Sequence, residues 1–389
     1  MFLPKRRFPE KSILNIAIAG GSNSLIRNGY TKYLNDSIGQ ITGRQTRLNY
    51  YAVGGVTNVH ALVQNYRYSI EVNSDLIFYE YCINTRHAIE IKKYSLELAG
   101  KALEGFIRRV KNLNPQCIII ILIFGVNLDD YYENDCDVSN LYELIGKHYD
   151  IPIVNLTSLL IKERGIDFTK SLYNNKDHAH YTRPYGVKVV ADRIVKYLKN
   201  LGITEVLTSK DYRQKTELEN LSNIPKLYQD NFEQLAFLDC FQDNCFTGNK
   251  PKVSVYQNSV FKEQNYTIDR ETSLNFFLKG RLAGIYIKSD LNDGFFRINF
   301  NSQQLVTSSF SSWNNYIKSQ NISFISLPLL KFSPSTDFNK LSISICPDYP
   351  EKFELDIFKT VPMRNNPNKW KLNIIGVAYI GEISYLSNS

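Results

Sequence analysis

The stretch "ILNIAIAGGSNSLIRNGY", residues 13–30, decides how the first half of the chain is read. Its opening positions form a short, almost unbroken apolar run, the pattern of a strand buried on both faces, although periodicity alone does not separate it from a buried helix segment. Gly20 and Gly21 end the run and Ser22 follows, with a helical pattern beyond it. A serine in that position has two readings, a helix cap or a nucleophile.

Outward from this stretch, apolar runs alternate with helical patterns. The runs are "RLNYYAV" (47–53), "SDLIFYEY" (74–81), "CIIIILIF" (117–124) and "IPIVNL" (151–156). Between and after them, helical spacing covers residues 23–38, 57–66, 86–112, 138–148 and 184–197, the third as one long helix. Five strands with interleaved helices predict a parallel sheet covered on both faces, with any ligand outside the carboxyl ends of the strands.

The 389 residues exceed the usual size of a single core, so two domains are expected. The α/β pattern spans residues 1–202. A polar, charged stretch over 203–235, containing "TSKDYRQKTELENLSN", reads as a connector. From 236 to 389, segments such as "GIYIKSD", "FFRINFNS" and "KLSISICP", punctuated by Asn, Asp, Gly, Pro and Ser, predict antiparallel strands in a β-sandwich.

Hydrophobic residues make up 43% and charged residues 22% of the chain, which excludes an intrinsically disordered protein. The balance of 46 Lys+Arg against 38 Asp+Glu gives +8, a mild preference for an acidic partner. Nucleic acid is not indicated, because the lysines are scattered and no helix-turn-helix, zinc-finger or RNP-like motif occurs. An acidic polysaccharide suits the charge equally well.

The basic start "MFLPKRRFPEKS" lacks a signal-peptide apolar core, and "CIIIILIFGV" is half the length of a membrane span. The expectation is a cytoplasmic chain beginning near Met1. Cys82, Cys117, Cys136, Cys240, Cys245 and Cys346 form no CxxC pair and read as reduced, buried thiols.

Four segments bring small or polar groups to the predicted rim: Ser22 after the first strand, Gly54 and Gly55 after the second, Asn84 after the third, and "NNKDHAHYTRPYG" with Asp177, His178 and His180 before the last helix. Each suits acyl transfer. A serine hydroxyl needs a base to take its proton, and imidazole has a suitable pKa. Asp177, three residues before His180, can reach the far ring nitrogen, fixing the tautomer and stabilising the imidazolium. The oxyanion of the tetrahedral intermediate needs donors, available from the N–H groups of Ser22 and Gly55 and the carboxamide of Asn84.

This order of Ser, Gly, Asn and Asp-x-x-His resembles the SGNH/GDSL hydrolase superfamily over residues 13–201. The resemblance implies a flavodoxin-like three-layer α/β/α fold, with Ser22 as nucleophile, Gly55 and Asn84 completing the oxyanion hole, and Asp177 with His180 as the remaining dyad. Two departures stand out. The family's Gly-Asp-Ser reads Gly20-Gly21-Ser22, without the acid, and its Gly-x-Asn-Asp reads Cys82-Ile83-Asn84-Thr85. "GGSNS" also lacks the last glycine of a Gly-x-Ser-x-Gly elbow, which argues against an α/β-hydrolase.

Taken singly, each residue has a plainer reading: Ser22 and Asn84 as caps, Gly55 as a turn glycine, His180 as a surface histidine. Their joint order favours the catalytic one. His178 would leave Asp177 adjacent in sequence, a poor geometry for a dyad. A metal site from Asp177, His178 and His180 lacks further ligands. His60, His87 and His148 read as structural or solvent-facing, and Trp313 with Tyr316 as a candidate sugar-stacking face.

The expected function is serine acyl-enzyme chemistry on an O-acetyl group of a carbohydrate, the β-rich unit orienting or binding the glycan. No cofactor is required. A slight lean goes to O-acetyltransferase over acetylesterase, with acetyl-CoA as acyl donor. The alternatives are a general small-ester or lipid esterase and a non-catalytic glycan-binding scaffold.

Overall fold

The computed structural model describes residues 13–129, 132, 136–174, 176–208, 223–258, 260–311, 320–362 and 366–385. They form two compact units: one runs to Glu90 and resumes over Leu96–Glu233, and the other comprises Ile91–Ser95 with the chain from Gln234 onward.

The first unit follows the order β1 (Leu14–Gly20), α1 (Tyr30–Thr42), β2 (Thr46–Tyr50), α2 (Val59–Tyr68), β3 (Leu76–Glu80), α3 (Cys82–Glu90), α4 (Leu96–Leu113), β4 (Ile118–Ile123), α5 (Asp137–His148) and β5 (Ile153–Asn155). After these come α6 (Leu156–Arg164), α7 (Ile166–Ser171), a hairpin of β6 (Tyr173–Asn174) and β7 (Asp177–Tyr181), then α8 (Tyr185–Asn200) and α9 (Ile203–Thr208).

Strands β1 to β5 form a parallel sheet ordered β2-β1-β3-β4-β5. Alternate residues face opposite helical layers. Leu14, Ile16, Ile18, Leu76, Phe78, Ile120 and Leu122 share a core with Tyr30, Leu34 and Ile38 of α1 and Val187, Val190 and Ile194 of α8. On the other face Tyr79 packs its ring 5.0 Å from Phe106 of α4 and 6.1 Å from Tyr142 of α5. Two-sided burial is why β1, β3 and β4 read as continuous apolar runs.

The order reverses between β1 and β3, so the chain leaves these neighbouring strands toward opposite sides and opens a crevice at their carboxyl ends. Ser22 and Asn84 follow those two strands.

The second unit carries β8 (Ala236–Leu238), β9 (Phe246–Gly248), β10 (Lys252–Gln257), β11 (Lys262–Ile268), β12 (Thr272–Ser289), β13 (Phe295–Phe300), β14 (Gln303–Ser308), β15 (Asn321–Ile325), helix α10 (Leu327–Lys331), β16 (Ser335–Ile345) and β17 (Leu372–Ser384). The strands form one antiparallel network, β10-β11-β17-β12-β16-β13-β14, with β8 on β17 and both β9 and β15 on β12. The long strand β12 changes partners along its length: its first half pairs with β16 and its last five residues with β15. Gly280 and Gly381 sit opposite each other at φ 124° and 125°, where a Cβ on either would strike the other strand's backbone.

The sequence reading differs from the structure in several places. The helix expected over residues 86–112 is two helices, α3 and α4, broken where Lys92 takes φ 57°. Of the polar stretch 203–235, α9 is helical and packs on α1 and α8, while 224–233 lies along α4. There Leu227 and Tyr228 donate their N–H groups to the buried Glu104 carboxylate at 2.6 and 2.9 Å. Not every thiol is buried: Cys240 is exposed and Cys136 half-buried, and all six are unbridged. Trp313 and Tyr316 lie outside the described residues. Among those residues no helix is long and apolar enough to cross a membrane.

Candidate active site

Ser22 opens a single 3-10 turn, Ser22–Ser24, immediately after Gly21. The N-cap of that turn is Gly21, with no side-chain cap hydrogen bond. Ser22 Oγ lies 2.7 Å from His180 Nε2, and His180 Nδ1 lies 2.6 Å from Asp177 Oδ2. Three side chains from two segments, 158 residues apart in the case of Ser22 and His180, thus form one hydrogen-bonded line.

Local structure accounts for the placement. The β6/β7 hairpin stands apart from the main sheet and presents Asp177 and His180 from one strand. Asp177 Oδ1 accepts the Ala179 N–H at 3.1 Å, which fixes the carboxylate with its other oxygen toward the imidazole. Asn23, buried beside the nucleophile, donates Nδ2 to the Ala179 carbonyl at 2.8 Å. Asn127 N–H donates to the His178 carbonyl at 2.7 Å. The hairpin is therefore tied to the serine turn on one side and to the loop after β4 on the other. His178 itself is exposed, outside the line.

The loop after β2 reaches the same place because parallel pairing continues beyond the strand: Tyr51 N–H donates to Ile18 O at 2.8 Å and Val53 N–H to Gly20 O at 3.0 Å. Gly54 then lies against Ser22, where a Cβ would stand 3.5 Å from the serine Cβ. Gly55 takes φ 69°, the left-handed conformation that favours glycine. From the first turn of α3, just after β3, the Asn84 carboxamide closes on the serine turn, its Nδ2 2.6 Å from the point where a Cβ on Gly21 would stand.

All the residues singled out in the sequence, Ser22, Gly55, Asn84, Asp177 and His180, lie in segments that converge on this rim. Sequence reasoning placed Gly54 at the rim without a role and passed over Asn23 and Glu80. Glu80 is almost completely buried, and that burial pushes its carboxyl up to about 7, against the partly offsetting hydrogen bonds from Ser24 and Gly21. The available signal was an acid inside the apolar run "LIFYEY", residues 76–81. Among the described residues no group of three or more His, Cys, Asp or Glu could hold a metal ion.

A parallel sheet in this order, with serine after β1, asparagine after β3 and Asp-x-x-His ahead of α8, is the arrangement that the SGNH/GDSL resemblance implied, here followed by an antiparallel β-rich unit. Over nearly its whole length the chain is similar to the crystal structure of a two-domain esterase, CEX, active on acetylated mannans. The TM-score is 0.65 at 12% identity, with 97% of this chain and 93% of that chain covered. The same kind of two-domain esterase co-crystallised with mannopentaose gives a TM-score of 0.62 at 13% identity, covering 96% and 92%. The acetyl xylan esterase AlAXEase, at 14% identity and a TM-score of 0.40, covers 47% of this chain and 98% of its own. No protein-family model and no curated protein sequence matches the chain.

Proposed function

We propose that the protein is a serine esterase that removes O-acetyl groups from a carbohydrate, with the β-rich unit orienting the glycan. The observation that carries this reading is the line from Ser22 Oγ through His180 to Asp177, set at the crevice between β1 and β3. Similarity to a two-domain esterase active on acetylated mannans, extending over both units, supports the choice of carbohydrate and of hydrolysis.

In this mechanism His180 Nε2 takes the Ser22 proton as Oγ adds to the acetyl carbonyl, and the Asp177 carboxylate holds the Nδ1 proton and steadies the imidazolium. The oxyanion is met by the Ser22 N–H, the Gly55 N–H and the Asn84 carboxamide. Collapse expels the sugar hydroxyl, which receives the proton from His180. Water, activated by the same imidazole, then releases acetate from acetyl-Ser22. Transfer from acetyl-CoA to a sugar hydroxyl would pass through the same acyl-enzyme with a different acceptor.

Acetate release from acetylated glucomannan and acetylated xylan, assayed for the wild type and Ser22→Ala, tests the proposal. Release that disappears in the variant, with wild-type Ser22 modified by a fluorophosphonate, is the expected result. Parallel incubation with acetyl-CoA and deacetylated glycan separates transfer from hydrolysis. A wild type that releases no acetate and takes no fluorophosphonate label overturns the enzymatic reading.

A further inference from the structure

Glu80 ends β3 directly opposite Gly20 in the β1–β3 register. Its backbone carbonyl accepts the Gly21 N–H at 2.9 Å. Its side-chain Oε2 accepts the same N–H at 3.2 Å and the Ser24 hydroxyl at 3.0 Å. Tyr30 OH lies 2.9 Å from Ser24 Oγ and completes the chain.

The two glycines of the turn make room for this arrangement. A Cβ at position 20 would stand 2.7 Å from Ser24 Oγ and 2.8 Å from the Glu80 carbonyl. A Cβ at position 21 would stand 2.6 Å from Asn84 Nδ2 and 3.7 Å from Glu80 Oε2. Glu80 and Asn84, four residues apart, therefore fill the space that side chains at 20 and 21 would need.

We propose that Glu80 is a positioning residue for the acyl-transfer site: its carboxyl group, delivered from β3, accepts from both ends of the Gly21–Ser24 turn and holds that turn in register with the Asn84 carboxamide. The inference rests on the esterase reading given above.

Fold stability alone gives no reason for an acid here. An apolar side chain would fill the same volume without the desolvation that raises this carboxyl's pKa. The hydrogen bonds that offset the burial all go to the turn carrying the nucleophile. A shift of that turn by a fraction of an ångström would move Ser22 Oγ relative to both His180 and the oxyanion donors, which affects the transition state more than substrate binding.

The test is steady-state hydrolysis of p-nitrophenyl acetate by wild type, Glu80→Ala and Glu80→Gln, with folding checked by circular dichroism. Glu80→Ala is expected to lower kcat about 100-fold while KM stays within about threefold. Glu80→Gln keeps an acceptor for the Gly21 N–H and is expected to recover at least about tenfold of that loss. A folded Glu80→Ala with kcat within about twofold of wild type, a loss confined to KM, or a Gln variant as impaired as the Ala variant overturns the inference. Should Glu80→Ala fail to fold, Ser24→Ala removes one of the two bonds on Oε2. It is expected to lower kcat about fivefold at unchanged KM, and an unchanged kcat overturns the inference. Indifferent variants of an active wild type defeat this inference alone, whereas a wild type without turnover or fluorophosphonate label defeats the esterase reading and the inference with it.

Discussion

Asn84 Nδ2 occupies a point only 2.6 Å from where a Cβ on Gly21 would project, so the glycine before the serine and the asparagine after β3 exclude any side chain between them. Gly21 has φ −93°, an ordinary value, which means that its lack of a side chain is required by the approach of Asn84 and not by backbone strain.

Gly21→Ala should therefore act by displacing Asn84. The expected loss is about 100-fold in kcat, comparable to removal of one oxyanion donor. Asn84→Ala should cost a similar factor, and the double variant little more than either, because without the carboxamide the new methyl group has nothing to displace. Additive losses in the cycle, read from kcat on p-nitrophenyl acetate, would count against this coupling.

Asp177→Asn leaves the shape of the line but replaces the acceptor facing His180 Nδ1 by a neutral amide. kcat should fall by about 10²- to 10⁴-fold with little change in KM, since substrate is not held by this residue. Stopped-flow or end-point acetate assays across that range provide the check.

His60 and Glu80 impose opposite pH dependences on stability. His60 is completely buried, and burial, reinforced by Arg67, pushes its imidazole from 6.5 down to about 3. Below pH 6.5 the unfolded chain binds a proton that the folded chain does not, so stability falls as pH drops toward 3, by up to about 5 kcal/mol. For Glu80, raised from 4.5 to about 7, the folded chain holds the extra proton, so its contribution is complete below 4.5 and disappears as pH rises through 7, by up to about 3 kcal/mol. Urea titrations of His60→Gln should show a flatter acid limb than wild type, and those of Glu80→Gln a flatter curve between 4.5 and 7.

Glu104 gathers the N–H groups of Leu227 and Tyr228, the Asn231 carboxamide at 3.4 Å and the Tyr149 hydroxyl, all in the first unit. Glu104→Ala leaves these donors without their acceptor and should destabilise that unit by about 3 kcal/mol. Faster proteolytic cleavage within residues 224–233, measured beside a urea melt, is the accompanying expectation.

Much of this arrangement is legible in the amino-acid order because its parts are local. Ser22 and Asn84 each follow a recognisable apolar run, and a parallel sheet brings such positions to one edge whatever the loops between them, while the Asp177/His180 pair shows as a short motif ahead of α8. Glu80 was not legible, because its partners are chosen by strand register: only the pairing of Gly20 with Glu80 shows that one acid serves the turn of another strand. The break between α3 and α4 escaped for a different reason. Apolar spacing continues across residues 91–95, and a left-handed residue such as Lys92 leaves no mark on composition. The close run of 224–233 along α4 had its signal in Gly100 and Gly105, whose missing side chains admit the Tyr228 ring and the Phe232 backbone.

The crowding around the Gly-Gly pair also constrains how this sequence can drift. A chain that acquired a side chain at position 21 would have to move the amide at 84, so such single exchanges pass through impaired intermediates. Positions 20, 21, 80 and 84 should therefore be inherited as a block.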